Sequence, residues 1–220
     1  MLDIPMQTQN NFSSGNVGHL NNPNTMDAHP SPMSQRQINL ENICMPGELF
    51  DLSSVKDMTV SFGWKCDLAN VDIDVAAFML THDEIVPDES YCVFYRQHQT
   101  PDKSLKLIPR NAEDRYCFRL VPPLVNPVIS TVAFVCIINE ATRNNLNFSV
   151  VNDVYMRIIN NATRQVICGT FKEAFTTDDV SVLVGFILND NGIFQFSPCM
   201  QGVNFDFRTV CESYGITVDD

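Results

Sequence analysis

From about Ile38 onward the chain is a succession of short apolar runs separated by clusters of turn-forming residues. That rhythm admits few folds other than an all-β sandwich or barrel. The runs predict strands over Met58–Trp64, Ile73–Leu80, Tyr91–Tyr95, Leu105–Ile108, Tyr116–Val121, Val128–Ile138, Val154–Ile159, Gln165–Phe171, Val180–Leu188 and Ile193–Ser197. About ten short strands suit an antiparallel β-sandwich of two packed sheets. Asp190-Asn191-Gly192 between the last two is a hairpin signal, because Asn-Gly supplies the positive φ angles of a tight turn. Two segments break the rhythm and predict short helices: Glu140–Leu146, and Asp206–Tyr214, which has Phe207, Val210, Cys211 and Tyr214 at helical spacing and Gly215 to end it.

One place in this pattern carries chemistry. Phe62-Gly63-Trp64 holds the single tryptophan, and it is followed by Asn70-Val71-Asp72-Ile73-Asp74 at the start of an apolar strand. Side chains two apart on a strand leave from one face. Asp72 and Asp74 therefore stand side by side, where two like charges repel unless something lies between them.

Residues 1–38 differ from the rest. They are rich in Asn, Ser, Gln, Pro and Met without apolar periodicity, which predicts a polar, flexible N-terminal arm ahead of a single domain over residues 39–220. An arm of this composition gains order only by docking on a neighbour. The 220 residues carry 26 acidic against 14 basic side chains, a net charge of −12. This charge repels phosphate backbones and anionic lipid, so neither nucleic acid nor a membrane surface is an expected partner. A cation, a basic protein surface or self-association fits better. No apolar run is long enough for a membrane-spanning helix, and no secretory leader is evident, which predicts a cytoplasmic protein. The eight cysteines show no Cys-x-x-Cys pair and no zinc spacing, and they read as reduced thiols. No phosphate loop, nucleophile elbow or positioned histidine is present, so no enzymatic activity is expected.

The order of motifs resembles the TerD family of tellurium-resistance and stress-response domains. The resemblance runs from about Ile38 to the C-terminus. It rests on the short opening segment Ile38–Leu52, on Val60-Ser61-Phe62-Gly63-Trp64 and the aspartates after it, and on Phe94-Tyr95 with Thr100-Pro101-Asp102-Lys103-Ser104. Glu140-Ala141, Asn147-Phe148, Arg157-Ile158-Ile159-Asn160, Gln201-Gly202 and Ser213-Tyr214-Gly215-Ile216 complete it. The resemblance implies a non-catalytic domain that binds calcium through an Asp-x-Asp-x-Asp motif and a second acidic, glycine-rich loop. Both are eroded here. Asn70 stands for the first aspartate, leaving Asp72 and Asp74 with Asp67 nearby, and the second loop is reduced to Asn111-Ala112-Glu113-Asp114. Calcium takes roughly six to eight oxygens. The implied set of Asp67, Asn70, Asp72, Asp74, Glu113 and Asp114 is thus sufficient for at most one weak calcium site. Neutralisation of Asp72 and Asp74 by Arg110 or Arg115, without metal, satisfies the same charges. Two functions are consistent with this: a TerD-like stress-response domain acting as a weak calcium binder or protein-interaction adaptor, and a structural protein that clasps a neighbouring subunit with its arm.

Overall fold

The computed structural model describes residues 42–69, 71–176 and 178–218. The arm predicted over 1–38 and the candidate ligand Asn70 lie outside them. The strands are β1 Phe50–Asp51, β2 Met58–Lys65, β3 Ile73–Leu80, β4 Cys92–Val93, β5 Leu105–Ile108, β6 Tyr116–Leu120, β7 Thr131–Ile138, β8 Asn152–Asn160, β9 Gln165–Lys172, β10 Ser181–Asp190 and β11 Ile193–Val203. Two short helices, α1 Ala141–Asn144 and α2 Phe207–Ser213, occupy the segments predicted for them. The strands form a six-stranded sheet in the order β1-β11-β10-β7-β3-β4 and a five-stranded sheet in the order β5-β6-β2-β8-β9. Every strand pair is antiparallel. The chain is an all-β sandwich.

The two sheets meet through aromatic side chains. Phe62 of β2, Phe118 of β6 and Phe134 of β7 are fully buried, with ring centroids 5.4–5.9 Å apart. Truncating one such ring to alanine costs about 3–5 kcal/mol. β3 and β7 are apolar on both faces, and the structure shows why. Inward, Ala77 pairs with Phe134, while outward Phe78 pairs with Ala133 and lies 4.8 Å from the Tyr214 ring just beyond α2. Phe207 of α2 packs on Phe94 at 5.3 Å. The C-terminal helix thus covers the outer face of the six-stranded sheet, and its Asp206 carboxylate caps it by accepting from Thr209 N–H at 2.8 Å.

Strand ends depart from the sequence pattern for identifiable reasons. The apolar run from Val128 begins as a turn, with Ile129 N–H donating to Asn126 O, and enters the sheet only at Thr131. β11 continues past Pro198 to Val203, beyond the predicted Ser197. Its pairing with β1 stops at Phe196, and a bulge between Leu183 and Gly185 lies opposite, so the missing proline N–H is tolerated. The predicted hairpin is present: Asp190 pairs with Ile193 across Asn191 (φ 51°) and Gly192 (φ 91°). Among the described residues no helix is long and apolar enough to cross a membrane.

The Thr100–Ser104 loop is organised by one carboxylate. Asp102 Oδ1 accepts from Thr100 Oγ1 (2.7 Å), Ser104 N–H (2.9 Å) and Ser104 Oγ (2.7 Å), and Oδ2 accepts from Asn126 N–H (3.1 Å). Partial burial pushes this carboxyl up, but the four donors outweigh it and hold it below its ordinary value of 3.8. A carboxyl depressed in the folded state contributes stability that is present above its unfolded value and lost as pH falls through the folded one. Asp102→Asn, which sets an amide N–H₂ against the Asn126 N–H, is therefore expected to be less stable than wild type at pH 7. The gap narrows as pH falls below the ordinary carboxyl value of 3.8 and through the lower folded one, in urea melts read by tryptophan fluorescence.

Candidate functional site

The acidic pair sits where β3 begins. Register across β3 and β7 places Ile73 opposite Ile138, which brings Asn139 beside Asp72. Asn139 N–H donates to Asp72 O at 2.9 Å, and its Nδ2 donates to Asp72 Oδ2 at 2.9 Å and Asp74 Oδ2 at 2.7 Å. The two carboxylates do stand side by side, clamped by a neutral amide. Asp74 Oδ1 also accepts from the Tyr116 hydroxyl. Burial pushes the Tyr116 phenol up and the adjoining Asp74 charge pushes it further, which keeps it protonated as a donor.

Trp64 closes the site from the side. Its ring stacks on Tyr116 with centroids 6.2 Å apart. Arg115 lies over the indole at 5.4 Å and donates from Nε to Trp64 O at 2.9 Å. Arg115 is therefore engaged by the tryptophan, and Arg110 is exposed on the loop before β6. The side chain that bridges Asp72 and Asp74 is the neutral amide of Asn139, not either arginine. Asp67 is exposed on the loop between β2 and β3.

Glu113 and Asp114 belong to a different cluster, on the outer face of the five-stranded sheet. Ser61 of β2 and Gly169 of β9 flank Arg157 of β8, and these small residues leave room for a guanidinium. The loop between β5 and β6 folds over it. Arg157 Nη2 lies 2.9 Å from Asp114 Oδ2 and 2.7 Å from Glu113 Oε2. Asp114 Oδ1 accepts from the Tyr155 hydroxyl at 2.9 Å, and Asn111 donates to Oδ2 at 2.6 Å while its own Oδ1 accepts from Asp114 N–H at 2.7 Å. The Asp114 side chain is fully buried and Arg157 is 5% exposed, whereas Glu113 is 73% exposed. Gly63 is part of this arrangement. A Cβ there would lie 2.4 Å from the Tyr155 ring, so only glycine lets that tyrosine lie across β2 to reach Asp114.

The five described residues of the expected set, Asp67, Asp72, Asp74, Glu113 and Asp114, are thus not gathered together, and among the described residues no three His, Cys, Asp or Glu side chains converge. The two acidic places answer differently to a calcium ion. At Asp114 the carboxylate is already matched by a guanidinium, a phenol and an amide donor, and a cation there would face Arg157. That place does not fit the ion. At β3, turning the Asn139 amide over would present Oδ1 in place of the donor Nδ2. Asp72, Asp74 and that oxygen form a small hard-donor set that fits one weakly held cation.

The TerD domain family model matches residues 45–214. The chain belongs to the TerD family. Among curated TerD relatives, the tellurium resistance protein TerD of Serratia marcescens is 23% identical over 171 residues, covering 74% of this chain and 89% of that protein. The protein of the same name from an Alcaligenes species is 22% identical with the same coverage. Two solved structures share the TerD fold with it. One is a protein of unknown function (TM-score 0.56, 16% identity, 74% of this chain and 99% of that one). The other is a homologue of the telluride resistance protein TerD from Streptomyces coelicolor (TM-score 0.53, 15% identity, 70% and 93%).

Asn139, Tyr116 and Tyr155 escaped the sequence reading as site residues. Arg157 carried the clearest signal, as a charge inside the apolar run Val154–Ile159 with Tyr155 two residues before it on the same face. The geometry sets a sharp contrast between the two acids it holds. Asp114→Ala removes the buried carboxylate that faces Arg157 and is expected to cost about 3–5 kcal/mol in urea unfolding. Glu113→Ala, at the rim, is expected to cost less than about 1 kcal/mol.

Proposed function

We propose that this TerD domain is a non-catalytic binding module of a tellurium-resistance type of stress response, working in the cytoplasm as an adaptor. Asp72, Asp74 and Asn139 hold at most one calcium ion, weakly. Membership of the TerD family and relatives named for tellurium resistance support the role. The observation that carries the calcium reading is the guanidinium of Arg157 between Glu113 and Asp114. One acidic place has exchanged a diffusible cation for a covalently attached one. The other keeps two adjacent carboxylates joined only by an amide.

When bound, calcium would supply the charge neutralisation that Asn139 cannot. The chain's own residues do the rest: Tyr116 holds Asp74 by its hydroxyl, and Trp64 holds Tyr116 and Arg115. The net charge of −12 favours a basic surface on a protein partner.

Calorimetric titration of the full chain with calcium tests the reading. The expected result is a single binding event with Kd of about 0.1–1 mM, lost in Asp72→Ala/Asp74→Ala and retained in Glu113→Ala. Two bound ions, or binding that depends on Glu113, would contradict the assignment. Absence of heat in the wild type would remove the cation and leave the pair as a hydrogen-bonded clamp.

A further inference from the structure

The three most exposed large apolar side chains among the described residues, Leu124 (49%), Val128 (51%) and Ile193 (54%), come to one end of the sandwich. At that end β3 finishes and β7 begins: Leu80 pairs with Thr131, which pairs in turn with Leu188 of β10. The Asp72/Asp74 pair lies at the other end of the same strands, where Ile73 pairs with Ile138. Leu124 and Val128 belong to the loop between β6 and β7, where Pro123 and Pro127 are exposed as well. No charged residue occurs between Arg119 and Glu140, so this loop is neutral in a chain of net charge −12.

The loop is fixed in place by its own backbone. Val121 N–H donates to Ser104 O at 2.8 Å, Leu124 N–H to Val121 O at 2.9 Å and Val125 N–H to Pro122 O at 3.1 Å. Asn126 N–H donates to Asp102 Oδ2 at 3.1 Å and Val128 N–H to Asn126 Oδ1 at 3.2 Å. Ile129 N–H donates to Asn126 O at 2.9 Å and Ser130 N–H to Leu80 O at 2.8 Å. Pro122, Pro123 and Pro127 have no N–H to offer. Every backbone N–H from Val121 to Ser130 is therefore bonded within the chain, and covering the loop strands no donor. Asn189 fastens the β10–β11 hairpin to it, donating from Nδ2 to Ile129 O and from N–H to Ser130 O, both at 2.7 Å. Ile193 is thus held on the same pre-ordered end, where binding costs little ordering entropy.

We propose that two copies of the chain pair at this end, each setting Pro123, Leu124, Pro127, Val128 and Ile193 against the same patch of the other. An apolar patch is complementary to itself, as a two-fold interface requires. A net charge of −12 on each copy opposes close approach wherever acidic residues face one another, so like copies meet at least electrostatic cost on a neutral surface. The rim is acidic. Leu80 and Tyr91 are both bonded to the loop, and the segment between them carries Asp83, Glu84, Asp88 and Glu89. Salt screens that rim and strengthens the pairing. These few side chains cover less than the roughly 1,600 Å² of a standard interface, so the pair is weak and reversible. Joined at this end, two copies point their Asp72/Asp74 sites away from each other, which makes the adaptor bivalent. The pairing itself does not rest on the calcium or adaptor reading.

Sedimentation velocity of the full chain in a chelator, over roughly 5–500 µM, is the test. The expected result is a reversible monomer–dimer equilibrium with Kd on the order of 0.1 mM. It should tighten by about threefold or more as sodium chloride rises from roughly 50 to 500 mM. Leu124→Asp/Val128→Asp is expected to weaken it at least about tenfold with little change in melting temperature, because both side chains are half exposed. Leu68→Asp, equally exposed on the loop before β3 at the opposite end, leaves it unchanged. In the wild type, the amide chemical shifts that move with concentration are expected over 121–130 and 189–193. A chain that stays monomeric at about 500 µM in high salt, assemblies that grow beyond dimers, or shift changes centred elsewhere would overturn the proposal without reliance on any variant.

Discussion

A fully buried carboxylate needs a buried partner, and Asp114 has found one in Arg157. Much of the outer face of the five-stranded sheet is arranged around that requirement. Gly63 lacks a side chain so that Tyr155 can cross β2, and Ser61 and Gly169 stay small so that the guanidinium can lie between them. Asn111 closes the loop by donating to the carboxylate and accepting from its backbone. Each residue makes sense only with the others present. Desolvating both ions is expensive, and their mutual attraction plus the surrounding hydrogen bonds offsets that expense only if every member is in place.

This arrangement changes the meaning of the acidic loops in a TerD domain. A loop organised by a bound ion depends on the ion's concentration, whereas a loop organised by an arginine on an adjacent strand is always closed. The chain retains a second acidic pair at β3, and there the amide of Asn139 acts as the separator. The two places sit on different sheets.

Much of the fold was legible because strand periodicity and turn chemistry are local. Met58–Trp64, Ile73–Leu80 and Leu105–Ile108 coincide closely with β2, β3 and β5, and Asp190-Asn191-Gly192 makes the expected hairpin. β1 is two residues long and exists only by pairing with β11, so no periodicity could mark it. The site was less legible because its partners come from distant strands. Asp72 and Asp74 were visible as a pair, but Asn139 reaches them through the β3–β7 register and Tyr116 reaches them from the other sheet. Glu113 and Asp114 resembled remnants of a calcium loop in sequence, and only the placement of β8 beneath that loop shows that both pair with Arg157.

The central claim is that this ion pair, not a bound metal, organises the loop between β5 and β6. A double-mutant cycle measures it most directly: urea unfolding of the wild type, Asp114→Ala, Arg157→Met and the double variant, in the presence of a chelator. The account predicts a coupling energy of about 2–3 kcal/mol, with the double variant much more stable than the sum of the single losses implies. Additive losses, with coupling under about 0.5 kcal/mol, would show that Arg157 and Asp114 act independently and would contradict it.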